Sequence, residues 1–340
     1  MNRRGYVLPF VIVAISASAT LALAFVGGAL RGHRAGRHGR QAESVTLAVE
    51  EVMAATQRGW RADSLWILPP GATVSRTIEQ PDGVQHDLTW RRSHPLVAWL
   101  EVRGTRLHPV VEERAGRRRL RALWLEPPAL PLPAALTAAG AVTGEGASTV
   151  SGTDTPTAAM PCGVHREALD VPPVAASPLG PAPAVEWPAM PDAVAAPGTL
   201  EPSLAVAMVP VAAHSQILLR DSLPAPLPVS PGWHALFLDG PQVVIQGPAR
   251  WRGLLTVRGS LRLQGSVHLD GVLVVRGGLD ARNAQLRVRG AVLVADSLAS
   301  PVHLGGDSEV AYDRCAVQMA LATVATPRRM PFALWHATGH

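Results

Sequence analysis

The chain has 340 residues, 47% hydrophobic but only 4% aromatic, with 31 basic residues, all arginine, against 26 acidic ones. The net charge of +5 is a small excess spread along the chain, which reads as solvated surface rather than a nucleic-acid footprint. Two cysteines, Cys162 and Cys315, are far apart and fit no metal-ligand spacing.

After Arg3 and Arg4 no charged residue occurs until Arg31, and Tyr6–Leu30 is a run of 25 residues dominated by Val, Ile, Ala, Leu and Phe. At about 1.5 Å per residue that run is long enough to cross a hydrocarbon core of about 30 Å. Residues 1–30 are therefore expected to be a leader and transmembrane helix. Three versions stand open at this point: a retained anchor, a secretory signal cleaved after the small-x-small run Ala22-Leu23-Ala24, and a prepilin-type leader. Arg31, Arg34, Arg37 and Arg40 follow, and counted by the positive-inside rule they favour a cytoplasmic body. Gly28, Gly32 and Gly36 space small residues at every fourth position, but they lie past the apolar run and are read as part of a flexible basic exit. Val45, Val49, Val52, Met53 and Thr56 then recur at helical spacing, with Glu43, Glu50 and Glu51 off the stripe. Residues 31–57 are thus an exit segment followed by an amphipathic helix over Gln41–Gln57.

The start of the chain, Arg3-Arg4-Gly5-Tyr6-Val7-Leu8-Pro9, resembles that of type IV pilus assembly proteins of the PilX kind and their minor-pilin relatives. The resemblance implies leader-peptidase processing between Gly5 and Tyr6, an exported body, and partners among other pilin-like subunits or assembly proteins. Main pilins carry Glu at the fifth mature position, where this chain has Phe10, so the resemblance does not extend to a major subunit.

Residues 58–126 alternate in strand fashion. Thr73–Glu79 and Val84–Trp90 flank the turn signal Pro81-Asp82-Gly83, and five of the nine tryptophans fall at 60, 66, 90, 99 and 124. A meander of three to five strands is expected against the end of the first helix. Arg117, Arg118, Arg119 and Arg121 read as a solvated turn. Residues 127–231 hold 20 of the 31 prolines. Proline lacks the backbone donor and fixes φ, so this stretch is expected to be a largely disordered linker with possible ordered islands at 161–170 and 203–219.

From 232 to 326 the pattern sharpens. Glycines stand at 247, 253, 259, 265, 271 and 277, one every six residues, with apolar residues on odd positions and polar ones on even positions between them. Side chains alternate faces along a strand, so one face is buried and the other wet. Near Asn283 the parity inverts, and the expectation is two stacked runs of short strands with a turn through Arg282-Asn283. The left-handed β-helix of hexapeptide transferases shares the period. It places an aliphatic residue before the small one, however, where this chain has Arg258, Gln264, Asp270 and Arg276. Gly271–Gly277 and Val310-Ala311-Tyr312-Asp313, followed by a short helix, resemble the tail of the same PilX-like proteins. Residues 327–340 are expected to be a tail.

The fold class expected is therefore α+β, mainly β: a transmembrane helix extended by an amphipathic helix, a small meander and a C-terminal β-solenoid-like module. No HExxH, Walker loop or GxSxG occurs, the twelve histidines are scattered, and His268 with Asp270 looks like an ordinary outward polar pair. No catalytic, cofactor or metal residues are assigned, and neither a nucleic acid nor a small-molecule substrate is expected. In an exported chain Cys162 and Cys315 would close one disulfide, and in a reducing compartment they would be thiols. The leading functional expectation is a non-enzymatic structural or assembly component of a pilus-like envelope system. The alternative is an exported or tethered β-solenoid that binds envelope polymer or self-associates.

Overall fold

The computed structural model describes residues 7–58, 70–79, 84–107, 114–130, 132–154, 162, 169–176, 185–186, 194–195, 217–220, 232–294 and 301–338. Residues 203–216 of the island expected at 203–219, 161 and 163–168 of that expected at 161–170, the turn at 81–83 and the processing pair Gly5 and Tyr6 lie outside these residues.

Helix α1 runs without a break over Val7–Arg58, 52 residues. The basic exit expected to be flexible is part of it. Gly27, Gly28, Gly32, Gly36 and Gly39 meet nothing within 4 Å, and the alanines and arginines between them are strong helix formers. In the apolar half, the hydroxyls of Ser18 and Thr20 donate to the carbonyls of Ala14 at 2.8 Å and Ser16 at 2.6 Å, so neither polar group is left bare.

The end of α1 packs on an antiparallel sheet. Its first four strands are β1 (Thr73–Glu79), β2 (Val84–His94), β3 (Val97–Leu107) and β4 (Arg114–Glu126), ordered as in the chain. Val45, Val49, Val52 and Met53 meet Leu88, Leu100, Val102 and Leu123 in one buried cluster. Gly104 on β3 lets the helix come this close, because a β-carbon there would lie 2.5 Å from Val49 Cγ2. The arginines expected in a solvated turn instead sit within β4. Alternation sends Arg119 and Arg121 toward the helix, where both pair with Glu50, and Arg118 to the other face, where Nη2 donates to Glu101 at 2.7 Å.

The remaining strands but the last are β5 (Leu136–Ala138), β6 (Val142–Gly144), β7 (Thr149–Ser151), β8 (Val174–Ala176), β9 (Val185–Glu186), β10 (Val194–Ala195), β11 (Ile217–Arg220), β12 (His234–Asp239), β13 (Gln242–Gln246), β14 (Ala249–Val257), β15 (Ser260–Val275), β16 (Leu279–Ala281), β17 (Ala284–Val294), β18 (Val302–Leu304) and β19 (Glu309–Ala311). All their pairings are parallel. A chain that pairs with itself in parallel at short intervals must wind, and the result is a β-solenoid.

The winding explains the glycine period. Gly253 pairs with Gly271, a step of 18 residues and thus three glycine intervals per coil. The coil therefore has three faces, and its corners carry glycine columns: 247 and 265, 253 with 271 and 290, and 259 with 277. Between β15 and β17 the step is 19, with Gly271 opposite Gly290. One extra residue inverts sequence parity while inward residues still stack on inward ones, as Val267 does on Leu286. The two runs expected on either side of Asn283 are one continuous stack.

The proline-rich stretch expected to be linker contributes to the stack at 134–154 and 171–176. Strand β5 lies beside β17 with Val292 opposite Leu136, β6 beside β18, and β7 beside β19. Real ladder bonds join them, including Val292 N–H to Ala135 C=O at 2.8 Å and Thr149 N–H to Ser308 C=O at 2.8 Å. Ladder bonds alternate along a strand, so short apolar segments such as Leu136-Thr137-Ala138 form strands between flanking prolines. The stack order along one face is β10-β8-β5-β17-β15-β14-β12-β11, so this early segment extends the coil beyond the last C-terminal one.

Helix α2 (Arg314–Ala322) follows, capped by Asp313, whose carboxylate accepts from Cys315 N–H at 2.9 Å and Ala316 N–H at 3.1 Å. It lies across one face of the solenoid, burying Ala316, Val317, Met319 and Ala320. That cover is why Val272–Val275 and Ala291–Val294 are buried on consecutive residues rather than alternate ones. Strand β20 (Thr326–Thr338), expected as a tail, pairs with β4 and completes the five-stranded sheet. Thr326 stands opposite Glu126, so the solenoid is an insertion between two adjacent antiparallel strands of the helix-and-sheet domain.

Candidate functional site

Each face of the solenoid is built differently. One is covered by α2. A second, made by the first halves of β14 and β17, the middle of β15, and β19 and β7, carries charged side chains in columns. Parallel register places Arg250 beside His268, His268 beside Arg287, and Arg287 beside Glu309. The next outward column places Arg252 beside Asp270 and Asp270 beside Arg289. Strand alternation sends Val267, Leu269, Leu286 and Val288 inward, where all four are buried. Between the columns lies a shallow cleft of about 320 Å³ lined by Arg250, His268, Asp270, Arg287, Arg289 and Glu309.

The two columns differ in how their charges are met. Arg252 Nε is 3.2 Å from Asp270 Oδ2, and Arg289 Nε is 3.9 Å from the buried carboxylate of Asp313. Elsewhere on the solenoid Arg258 meets Asp239 at 3.3 Å, and Arg262 and Arg282 meet Asp280 at 4.0 and 3.0 Å. Arg250 and Arg287 have no carboxylate within 4.0 Å among the described residues. Burial pushes the His268 imidazole below its ordinary pKa; Arg287 and Arg250 add to this, and Asp270 opposes it. Near neutral pH His268 is therefore an uncharged donor and acceptor between two guanidinium groups. Among the described residues no three His, Cys, Asp or Glu side chains converge as a metal site.

The cysteines come together elsewhere. Cys162 and Cys315 form a disulfide, with Cα atoms 5.8 Å apart, packed with Met319 and Trp233. Beside it Asp154 accepts from Arg314 N–H at 3.0 Å and from Leu169 N–H at 3.2 Å. The early segment is thus tied to the start of α2 by a covalent bond and a buried carboxylate. His268 and Asp270 were visible in the sequence as outward residues. Their alignment with Arg250, Arg287 and Glu309 needs the coil length, which the 18-residue repeat contains but the inserted residue near Asn283 obscures.

At the other end of the molecule, α1 holds one stretch long and apolar enough to cross a membrane. Its side chains are bare: Leu21 is 71% exposed, Leu23 74% and Phe25 84%. No protein-family model, curated protein or solved structure matches the chain.

Proposed function

We propose that the protein is a membrane-anchored, non-enzymatic structural or assembly component of a type IV pilus-like envelope system, with its body exported. The observation that carries this reading is the division of α1. Its first half offers an uncharged, largely apolar surface that no described residue covers, while Val45–Met53 dock on the antiparallel sheet. A helix shared between membrane and globular domain is what a subunit needs if it leaves the bilayer to pack with other pilin-like subunits. The leader Arg3-Arg4-Gly5-Tyr6 supports the same reading.

Mass spectrometry of the mature amino terminus tests it. Cleavage between Gly5 and Tyr6, lost when Gly5 is replaced by Val, is the expected result. A mature chain beginning after Ala24 would remove the anchor and sink the proposal in favour of an exported solenoid unrelated to pili. That alternative draws on the charged face of the solenoid, which needs no filament to act.

A further inference from the structure

The solenoid pairs most of its outward arginines with carboxylates. Arg252, Arg258, Arg262, Arg282 and Arg289 each have an acidic partner within 4.0 Å. Arg250 and Arg287 are exposed, have no such partner among the described residues, and lie in one column with His268 between them. Glu309 continues that column, with no ion pair among the described residues. Neighbouring strands in a sheet are about 4.8 Å apart, so the two arginines spring from backbone positions two steps, about 9–10 Å, apart. Both face the cleft, with the Asp270 carboxylate on its other wall.

We propose that this cleft binds a carboxylate-bearing polysaccharide lying along the solenoid axis. A guanidinium presents a planar fork that matches a carboxylate, so Arg250 and Arg287 would take acid groups spaced along the polymer. Sugar hydroxyls both donate and accept. Asp270 and Glu309 accept from them, and the neutral His268 does either.

The same residues argue against other anions. A duplex carries a phosphate charge about every 1.7 Å along its axis, and such a density would be driven against Asp270 and Glu309. Single-stranded nucleic acid is held by stacking on aromatic rings, and no Phe, Tyr or Trp is among the described residues that line the cleft. An acidic peptide would anchor apolar side chains in pockets, whereas Leu269 and Val288, the larger apolar residues lining the cleft, are themselves buried and offer little surface. The inference stands on the solenoid alone and does not depend on how α1 is used.

The test is calorimetric titration of the full chain, disulfide intact in detergent micelles, with oligogalacturonate at low salt. Saturable binding that weakens as salt is raised is expected. Arg250→Ala and Arg287→Ala are each expected to weaken binding about tenfold, the scale of one charged hydrogen-bonding group. Arg258→Ala removes the same charge outside the cleft and should change binding less than twofold. Because Arg250 and Arg287 are exposed, circular dichroism should show both variants folded; Arg287→Lys, which keeps the charge without the fork, should bind with intermediate strength. The proposal is overturned by absence of binding, by equal losses from Arg258→Ala and Arg287→Ala, or by equal binding of the carboxyl-reduced neutral polymer. Tighter binding of oligothymidylate or polyglutamate than of the polysaccharide would likewise overturn it, in favour of a nucleic acid or a peptide.

Discussion

A β-carbon at Gly271 would lie 2.0 Å from the carbonyl oxygen of Gly253, and the backbone there has φ +140°. Both conditions exclude a side chain: the first is a hard overlap with the coil beneath, the second a conformation that L-residues avoid. Gly271→Ala is therefore expected to destabilise the solenoid by roughly 3 kcal/mol or more, because neither the stack nor α2 above it can give way. Thermal denaturation followed by circular dichroism checks this, and a loss below about 1 kcal/mol would mean the corner relaxes. His268 shows the electrostatics of the cleft at the same scale. Its pKa is depressed by burial, Arg287 and Arg250, and raised by Asp270. Arg287→Ala should move its titration upward and Asp270→Asn further downward, as read by NMR of the imidazole. A folded-state pKa below the unfolded one means that protonation favours unfolding, so this residue's contribution is intact above pH 6.5 and falls as the pH drops below it. Identical titrations in the two variants would show that the column seen in the backbone register is not a column of interacting side chains.

Among elements, the docking of α1 rests on a single missing side chain. Gly104 faces Val49 and Val45, so Gly104→Val should lift the helix from the sheet and cost roughly 2–4 kcal/mol. Faster amide exchange over Val45–Met53 than over β2 and β3 is the expected signature, and unchanged protection there would refute it. The stripe of Val45, Val49, Val52 and Met53 was legible because it follows helical period, and the strands of the sheet because they alternate. The status of Arg119 and Arg121 was not: a run of arginines looks solvated until its partner, Glu50, arrives from a helix far earlier in the chain. The inserted segment was hidden for a related reason. Leu136-Thr137-Ala138 and Val174-Ala175-Ala176 are too short to show alternation, and both their faces are buried. The first takes its strand character from the waiting edge of β17 and the second from β5, non-local partners that local pattern cannot reveal. Of the cleft, the polar residues were visible and their alignment was not.

In the whole molecule, the insertion between β4 and β20 means that the domain packed on the end of α1 carries a solenoid whose two ends leave from neighbouring strands. The solenoid itself is not built in chain order, because β5 to β10 continue a stack whose other coils come from residues 217–311. Such an arrangement must bring distant segments together, and the Cys162–Cys315 bond spans a sequence separation of 153 residues, across that junction. On the chain-entropy model a loop of this length is worth about 5 kcal/mol. Reduction is therefore expected to loosen the early coil while leaving the helix-and-sheet domain intact, because no cysteine lies within that domain. The measurement is hydrogen exchange with and without reductant. Protection should be lost at 134–154 and 171–176 and retained over β2, β3 and the end of α1. Mass spectrometry after alkylation should find no free thiol in the native protein. A full complement of free thiols, or exchange at 134–154 that ignores reductant, would show that ladder bonds to β17 and β19 hold the junction without the covalent link.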